Sequence, residues 1–194
     1  MQADCFNSFR LVGGTALSLQ LGHRLSVDID LFTDALYGAI DFDAIDKYLK
    51  HEFEYVATSD YKLVGMGRSY YIGNSKDDCI KLDIFYTDSY IRPALESEGV
   101  RMADLEDITA MKIDVIARGG RMKDFWDLHF LLDLFSVEKM IALHEERYPH
   151  GHDESLIRKC LNDFAIADDE FEPVCLLGKH WELIKLDFVA ALQS

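Results

Sequence analysis

No stretch of about 20 consecutive apolar residues occurs in this 194-residue chain, so no segment reads as a membrane-crossing helix. Proline is scarce. Pro93, Pro149 and Pro173 each read as a junction between elements, because proline inside a helix forfeits a hydrogen bond and clashes with the preceding turn. Four cysteines stand at positions 5, 79, 160 and 175 without a CxxC pair, which gives neither a zinc-ligand spacing nor a disulfide framework. They read as reduced thiols of a cytoplasmic protein. The N-terminal MQADCFNSFR lacks a basic segment followed by an apolar core, so no signal peptide is expected. Positive charge is also in short supply: 20 Lys and Arg against 35 Asp and Glu give a net charge of −15. Such a surface repels phosphate backbones on average, and a nucleic acid would need a local basic patch. The same charge suits solubility, a basic protein partner or a cationic small substrate. There is no internal repeat and no low-complexity tract.

What is present suffices for one large domain, or one domain with a helical extension: 49% of the residues are hydrophobic. The first half mixes helices and strands. TALSLQLG (residues 15–22) reads as a helix with Thr15 as N-cap and Gly22 at its end. SVDIDLF follows as a strand, with Val27, Ile29 and Leu31 on one face and Asp28 and Asp30 on the other. Phe42, Ile45, Leu49 and Phe53 recur at helical spacing. EYVAT, YKLVG, RSYYIG and CIKLDIFYT read as strands, with a turn in GNSKDD. The second half reads as helices: Leu105 to Ala117, with Ile108, Met111, Val115 and Ile116 as core candidates, then an Arg118-Gly119-Gly120-Arg121 break and Met122 to Leu134. Further helices are expected near Val137 to Glu146, Glu154 to Phe164 and His180 to Leu192. The shift from strands to helices falls at residues 92–104.

The chemistry concentrates in LVGGTALSLQLGHRLSVDIDLF, residues 11–32. Side chains at i and i+2 of a strand share a face. Asp28 and Asp30 therefore repel each other unless a cation sits between them or one takes a proton. Magnesium is a suitable occupant, since it binds through a few carboxylates together with substrate phosphates. On its own the pair is weak evidence, because acidic pairs on solvent-facing strands are common. Gly13 and Gly14 alone would be a tight turn. Together with a helix start, they let backbone N–H groups approach an anion. Asp83 in CIKLDIFYT is the candidate third carboxylate for a two-metal site, as ligand and general base. Arg24 is a candidate phosphate contact or a structural partner of Asp28, and Arg68 and Lys81 are weaker candidates for the same cleft. Phe125, Trp126, Leu128 and Leu131 read as core.

The GG-x(13)-DxD spacing with a later strand aspartate resembles the DNA polymerase beta-like nucleotidyltransferase superfamily. More narrowly, the first motif together with KIDVIARGGRMKDFWDLHFLL is similar to the AbiEii/AbiGii toxin family, the toxin halves of bacterial toxin–antitoxin and abortive-infection pairs. The resemblance covers nearly the whole chain. It implies an α+β fold: a nucleotidyltransferase core with a mixed sheet over residues 1–100 and a helical region over 101–194. It implies a magnesium-dependent transferase, with two ions on Asp28, Asp30 and Asp83. Gly13, Gly14 and Thr15 match the glycine motif. Lys112 matches a lysine expected at the nucleotide phosphates, and Lys123, Asp124 and Asp127 match the last motif. At helical spacing these carboxylates can orient Lys112, Arg118 or Lys123 toward a triphosphate, and the alternative is a solvated helix with ordinary ion pairs. The implied substrates are a nucleoside triphosphate, GTP by family, and the 3′ end of tRNA as acceptor; the implied partner is a cognate antitoxin. A nucleotide-binding module without catalysis and an antibiotic-type small-molecule transferase are the competing readings.

Overall fold

The computed structural model describes residues 3–58 and 65–193. They divide into two compact units: one holds the chain up to Ala16 and Val27–Ala103, the other Leu17–Ser26 and the chain from Asp104 on. Among the described residues, no helix is long and apolar enough to cross a membrane. Of the expected strands, the one at 61–65 lies outside the described residues, apart from Gly65.

The first unit is built on a seven-stranded mixed sheet. Strand β1 (Arg10–Val12) runs directly into helix α1 (Gly13–Leu21), which Gly22 ends at φ +64°. Strand β2 is Ile29–Thr33, and helix α2 is Phe42–Glu52. The remaining strands are β3 (Tyr55–Ala57), β4 (Gly67–Ser75), β5 (Asp78–Tyr86), β6 (Leu95–Ser97) and β7 (Val100–Met102). Their spatial order is β3-β4-β5-β2-β1-β7-β6. The β2–β5 and β1–β7 pairs are parallel, and the others are antiparallel. Alternation decides which side chains enter the core: Leu82, Ile84 and Tyr86 of β5 are buried, while Lys81, Asp83 and Phe85 stay partly exposed. Helix α2 buries Phe42, Ile45 and Leu49, as its spacing predicts, and Asp41 caps it by accepting the Ala44 N–H at 2.9 Å.

Three local expectations are corrected here. The helix begins at Gly13, not after Thr15, so the Thr15 hydroxyl lies inside the first turn and donates to the Asp28 carbonyl. Strand β2 starts only at Ile29, and Val27 is 69% exposed. Residues 92–104, read as a change of structure, hold the β6–β7 hairpin, which three-residue strands leave without a periodic signal.

The second unit is helical, with α3 (Leu105–Ala117), α4 (Met122–Leu131), α5 (Val137–Arg147), α6 (Glu154–Leu161), α7 (Ala165–Asp168) and α8 (Trp181–Ala191). Asp104, Ser136 and Asp153 cap α3, α5 and α6 through their side-chain oxygens. Helix α3 packs against α4, α5 and α6. It therefore buries more than one stripe: Ile108, Ile113 and Ile116 are enclosed, and so are Asp107 and Lys112. Met111 and Val115, expected in the core, are only half-buried. Gly119 (φ +96°) turns the chain between α3 and α4, and a Cβ on Gly120 would strike Ile116. Helix α4 ends at Leu131, short of the expected Leu134, which is 54% exposed. Phe125 sits among Phe164, Trp181 and Phe188 with ring centroids 5.1–6.0 Å apart, so the aromatic residues of α4 are core.

Candidate active site

In the first unit, two adjacent parallel strands set the geometry. β2 and β5 pair with Asp30 opposite Asp83 and Ile29 opposite Leu82. Directly opposed residues of neighbouring strands share a face, with Cβ atoms about 5 Å apart. The two carboxylates therefore stand side by side, although they are far apart in sequence. Asp28 lies two residues before Asp30, just ahead of β2. On the other side of β2, Val12 of β1 is opposite Asp30, and the next residue is Gly13. Gly13 is fixed by two requirements. Its φ is +67°, and a Cβ there would collide with Asp30 Oδ2. The backbone of the first turn of α1 thus passes against the Asp30 carboxylate, and that turn carries N–H groups that have no carbonyl partner within the helix. Thr15 fastens this turn to the entry of β2 through the Asp28 carbonyl.

One lysine of this face lies against the carboxylates. Lys81, two residues before Asp83 on β5, places its ammonium 2.5 Å from Asp83 Oδ2. Burial lowers the Lys81 pKa, but the Asp83 hydrogen bond and charge, then Asp30 and Asp28, outweigh it and raise the pKa. One ammonium thus feels three carboxylates. The other Asp83 oxygen, Oδ1, is buried and has no hydrogen-bond partner. Among the described residues, no three His, Cys, Asp or Glu groups are already close enough to enclose a metal ion. A closed protein cage is not what magnesium needs, because it commonly takes one or two carboxylates and completes its shell with water and substrate phosphates. The hard-oxygen donors and the partnerless Asp83 Oδ1 fit such an ion.

In the second unit, the candidates Arg24, Lys112, Asp124 and Asp127 come together in a buried network. Asp127 accepts Arg24 Nε at 2.6 Å and Nη2 at 2.9 Å, a two-pronged contact, and its Oδ1 lies 2.8 Å from His23 Nε2. Lys112 Nζ reaches Asp127 Oδ2 and Asp124 Oδ1, both at 2.7 Å. Asp124 also accepts the Arg121 backbone N–H, which closes the start of α4. Burial would raise both carboxylates. Lys112 outweighs it, joined by Arg24 and His23 at Asp127 and by Arg121 at Asp124, and holds both pKa values below the usual carboxylate range. The solvated-helix alternative for this motif fails, since Asp124 and Asp127 are enclosed. Lys123, one turn before Asp127, is half-buried. Arg118 pairs with Asp114. His23 carried no sequence signal beyond its place beside Arg24. Its backbone carbonyl accepts the Leu176 N–H at 2.9 Å, and Arg24 bridges to Cys175, so the two lie on a short ladder that orients them.

A family model described as the nucleotidyl transferase AbiEii toxin of type IV toxin–antitoxin systems matches residues 1–194. The chain belongs to this family. It is 33% identical over 197 residues to the uncharacterized protein aq_aa25 of Aquifex aeolicus (strain VF5), covering 92% of this chain and 84% of that one. Its structure is similar to JHP933 from Helicobacter pylori (TM-score 0.59, 19% identity, 97% and 84% of the two chains). It is also similar to MenT4, a nucleotidyltransferase toxin from Mycobacterium tuberculosis H37Rv (TM-score 0.56, 13% identity, 97% and 76%). At these identities the two structural likenesses are of fold, and the fold is that of nucleotidyltransferases. As an AbiEii protein, the chain is a toxin-type nucleotidyltransferase, for which family membership implies a nucleoside triphosphate substrate and an antitoxin partner.

Proposed function

We propose that the protein transfers a nucleoside monophosphate from a triphosphate, GTP by family resemblance, to an acceptor hydroxyl, with Asp28, Asp30 and Asp83 as the carboxylates that hold magnesium. When bound, magnesium would neutralise the triphosphate and the attacking and leaving oxygens. The first turn of α1, at Gly13, Gly14 and Thr15, presents backbone N–H groups and the positive helix end to the phosphates. The acceptor oxygen bonds to the α-phosphorus as the bond from that phosphorus to the β-bridging oxygen breaks, and pyrophosphate departs with that oxygen. The Asp83 carboxylate, on the same face as Asp30, takes the hydroxyl proton. The observation that supports this reading most is the Asp30–Asp83 register, which sets two like charges together beside a glycine turn.

The acceptor proposed from the resemblance is the 3′ end of tRNA, and the partner is a cognate antitoxin that limits growth arrest. Incubation with α-labelled GTP, magnesium and a tRNA pool tests the assignment. The expected result is label on tRNA, absent after periodate oxidation of the 3′ diol, and a loss of at least about 100-fold in Asp30→Asn. Equal labelling by the variant would remove these carboxylates from the mechanism. Labelling of periodate-treated tRNA would move the acceptor away from the 3′ end.

A further inference from the structure

The proposed transfer step assigns Lys81 no role, yet its ammonium touches Asp83. The two residues stand two apart on β5, with Nζ 2.5 Å from Oδ2. Asp83 is opposite Asp30 in the next strand. We propose that Lys81 is a built-in counter-ion that occupies Asp83 in the metal-free protein and that a divalent cation must displace it. The inference rests on the proposed carboxylate site and adds a positioning residue to it.

Three observations converge. Carboxylates crowded on one face repel, and an ammonium among them relieves that repulsion until a metal arrives. Lys81 takes Oδ2 and leaves Oδ1 without a partner, so Asp83 is held in place but only half satisfied. The Lys81 side chain is 39% exposed, so it can withdraw into solvent without breaking a buried contact. Displacement therefore carries a modest cost, as for other partly exposed ion pairs. A metal arriving with a triphosphate lowers that cost further, because the departing ammonium gains phosphate oxygens as alternative partners.

The test measures Mn2+ binding to nucleotide-free protein from the loss of the free-ion EPR signal, alongside thermal unfolding in EDTA and in Mn2+. Lys81→Met is expected to bind Mn2+ about fivefold more tightly than wild type. It is also expected to melt lower in EDTA and to gain more from Mn2+. Lys81→Arg, which keeps the charge, is expected to behave as wild type. A Mn2+ midpoint in Lys81→Met equal to or weaker than wild type overturns the counter-ion role. Asp30→Asn separates the two levels of the argument. If it loses Mn2+ binding while Lys81→Met matches wild type, only the counter-ion inference fails. If it binds Mn2+ as wild type does, the carboxylate face is not the metal site and both fail.

Discussion

Two groups of aspartates carry this protein's motifs, and their surroundings treat them in opposite ways. In the second unit, Asp124 and Asp127 are matched by Lys112 and Arg24, with His23 and the Arg121 backbone filling the remaining hydrogen bonds. Each charge there is balanced and enclosed. In the first unit, the Lys81 ammonium feels Asp83, Asp30 and Asp28, and Asp83 Oδ1 is buried without a hydrogen-bond partner. Balanced burial is what holds helices together. Carboxylates crowded on two adjacent central strands beside a glycine turn are what a cation and a triphosphate would complete. Both groups look alike in a motif, and charge balance in the fold tells them apart.

The sharpest way to break the contrast is to neutralise one member of each group. Asp30→Asn should cost transfer activity at least about 100-fold while the melting temperature in EDTA stays level or rises, since a like charge is removed. Asp127→Asn should do the reverse to the fold. It strands Lys112 and Arg24 without their shared carboxylate, and urea unfolding should show a loss of about 3–5 kcal/mol. If Asp30→Asn unfolds the protein and Asp127→Asn does not, the assignment of roles is inverted. Gly13→Ala sits between the two. Its φ of +67° and its collision with Asp30 should cost about 1–3 kcal/mol in unfolding experiments and disturb activity as well.

The network also predicts a pH response. Asp124 and Asp127 are held below their ordinary values, so the stability they contribute is present above the unfolded carboxylate value of about 4 and is lost as pH falls through the folded values. Urea midpoints between pH 5 and pH 3 should fall steeply in wild type and more shallowly in Asp127→Asn. The smallest effect is expected at the exposed Arg118–Asp114 pair. Arg118→Ala should change stability by less than about 0.5 kcal/mol, which calorimetry can verify.

Much of this was legible along the chain. The glycine pair followed by a DxD strand was visible because both are short-range patterns, and Leu105–Ala117 ended where its residues said it would. The partial misses have local causes. Thr15 looks like a cap by residue type, but Gly13 supplies the positive φ that starts the helix earlier. Lys81 was a weak candidate because a lysine on an alternating strand reads as solvent-facing. Its significance comes from the strand beside it. The resemblance places Lys112 at the nucleotide phosphates, and the fold adds the two carboxylates that surround it, which no local pattern announces.

The amino-acid sequence by itself determined the local periods: the alternation of β5, the stripe of α2, and the spacing from Gly14 to Asp28. These depend on neighbours one to four residues away, so the chain records them directly. Only the tertiary structure decided that β5 lies against β2 in the register that opposes Asp30 and Asp83, and that α3 and α4 bury Lys112 between Asp124 and Asp127. Those choices pair distant residues through hydrogen-bond register and burial, where the energy of a charge depends on which other charges the fold sets beside it.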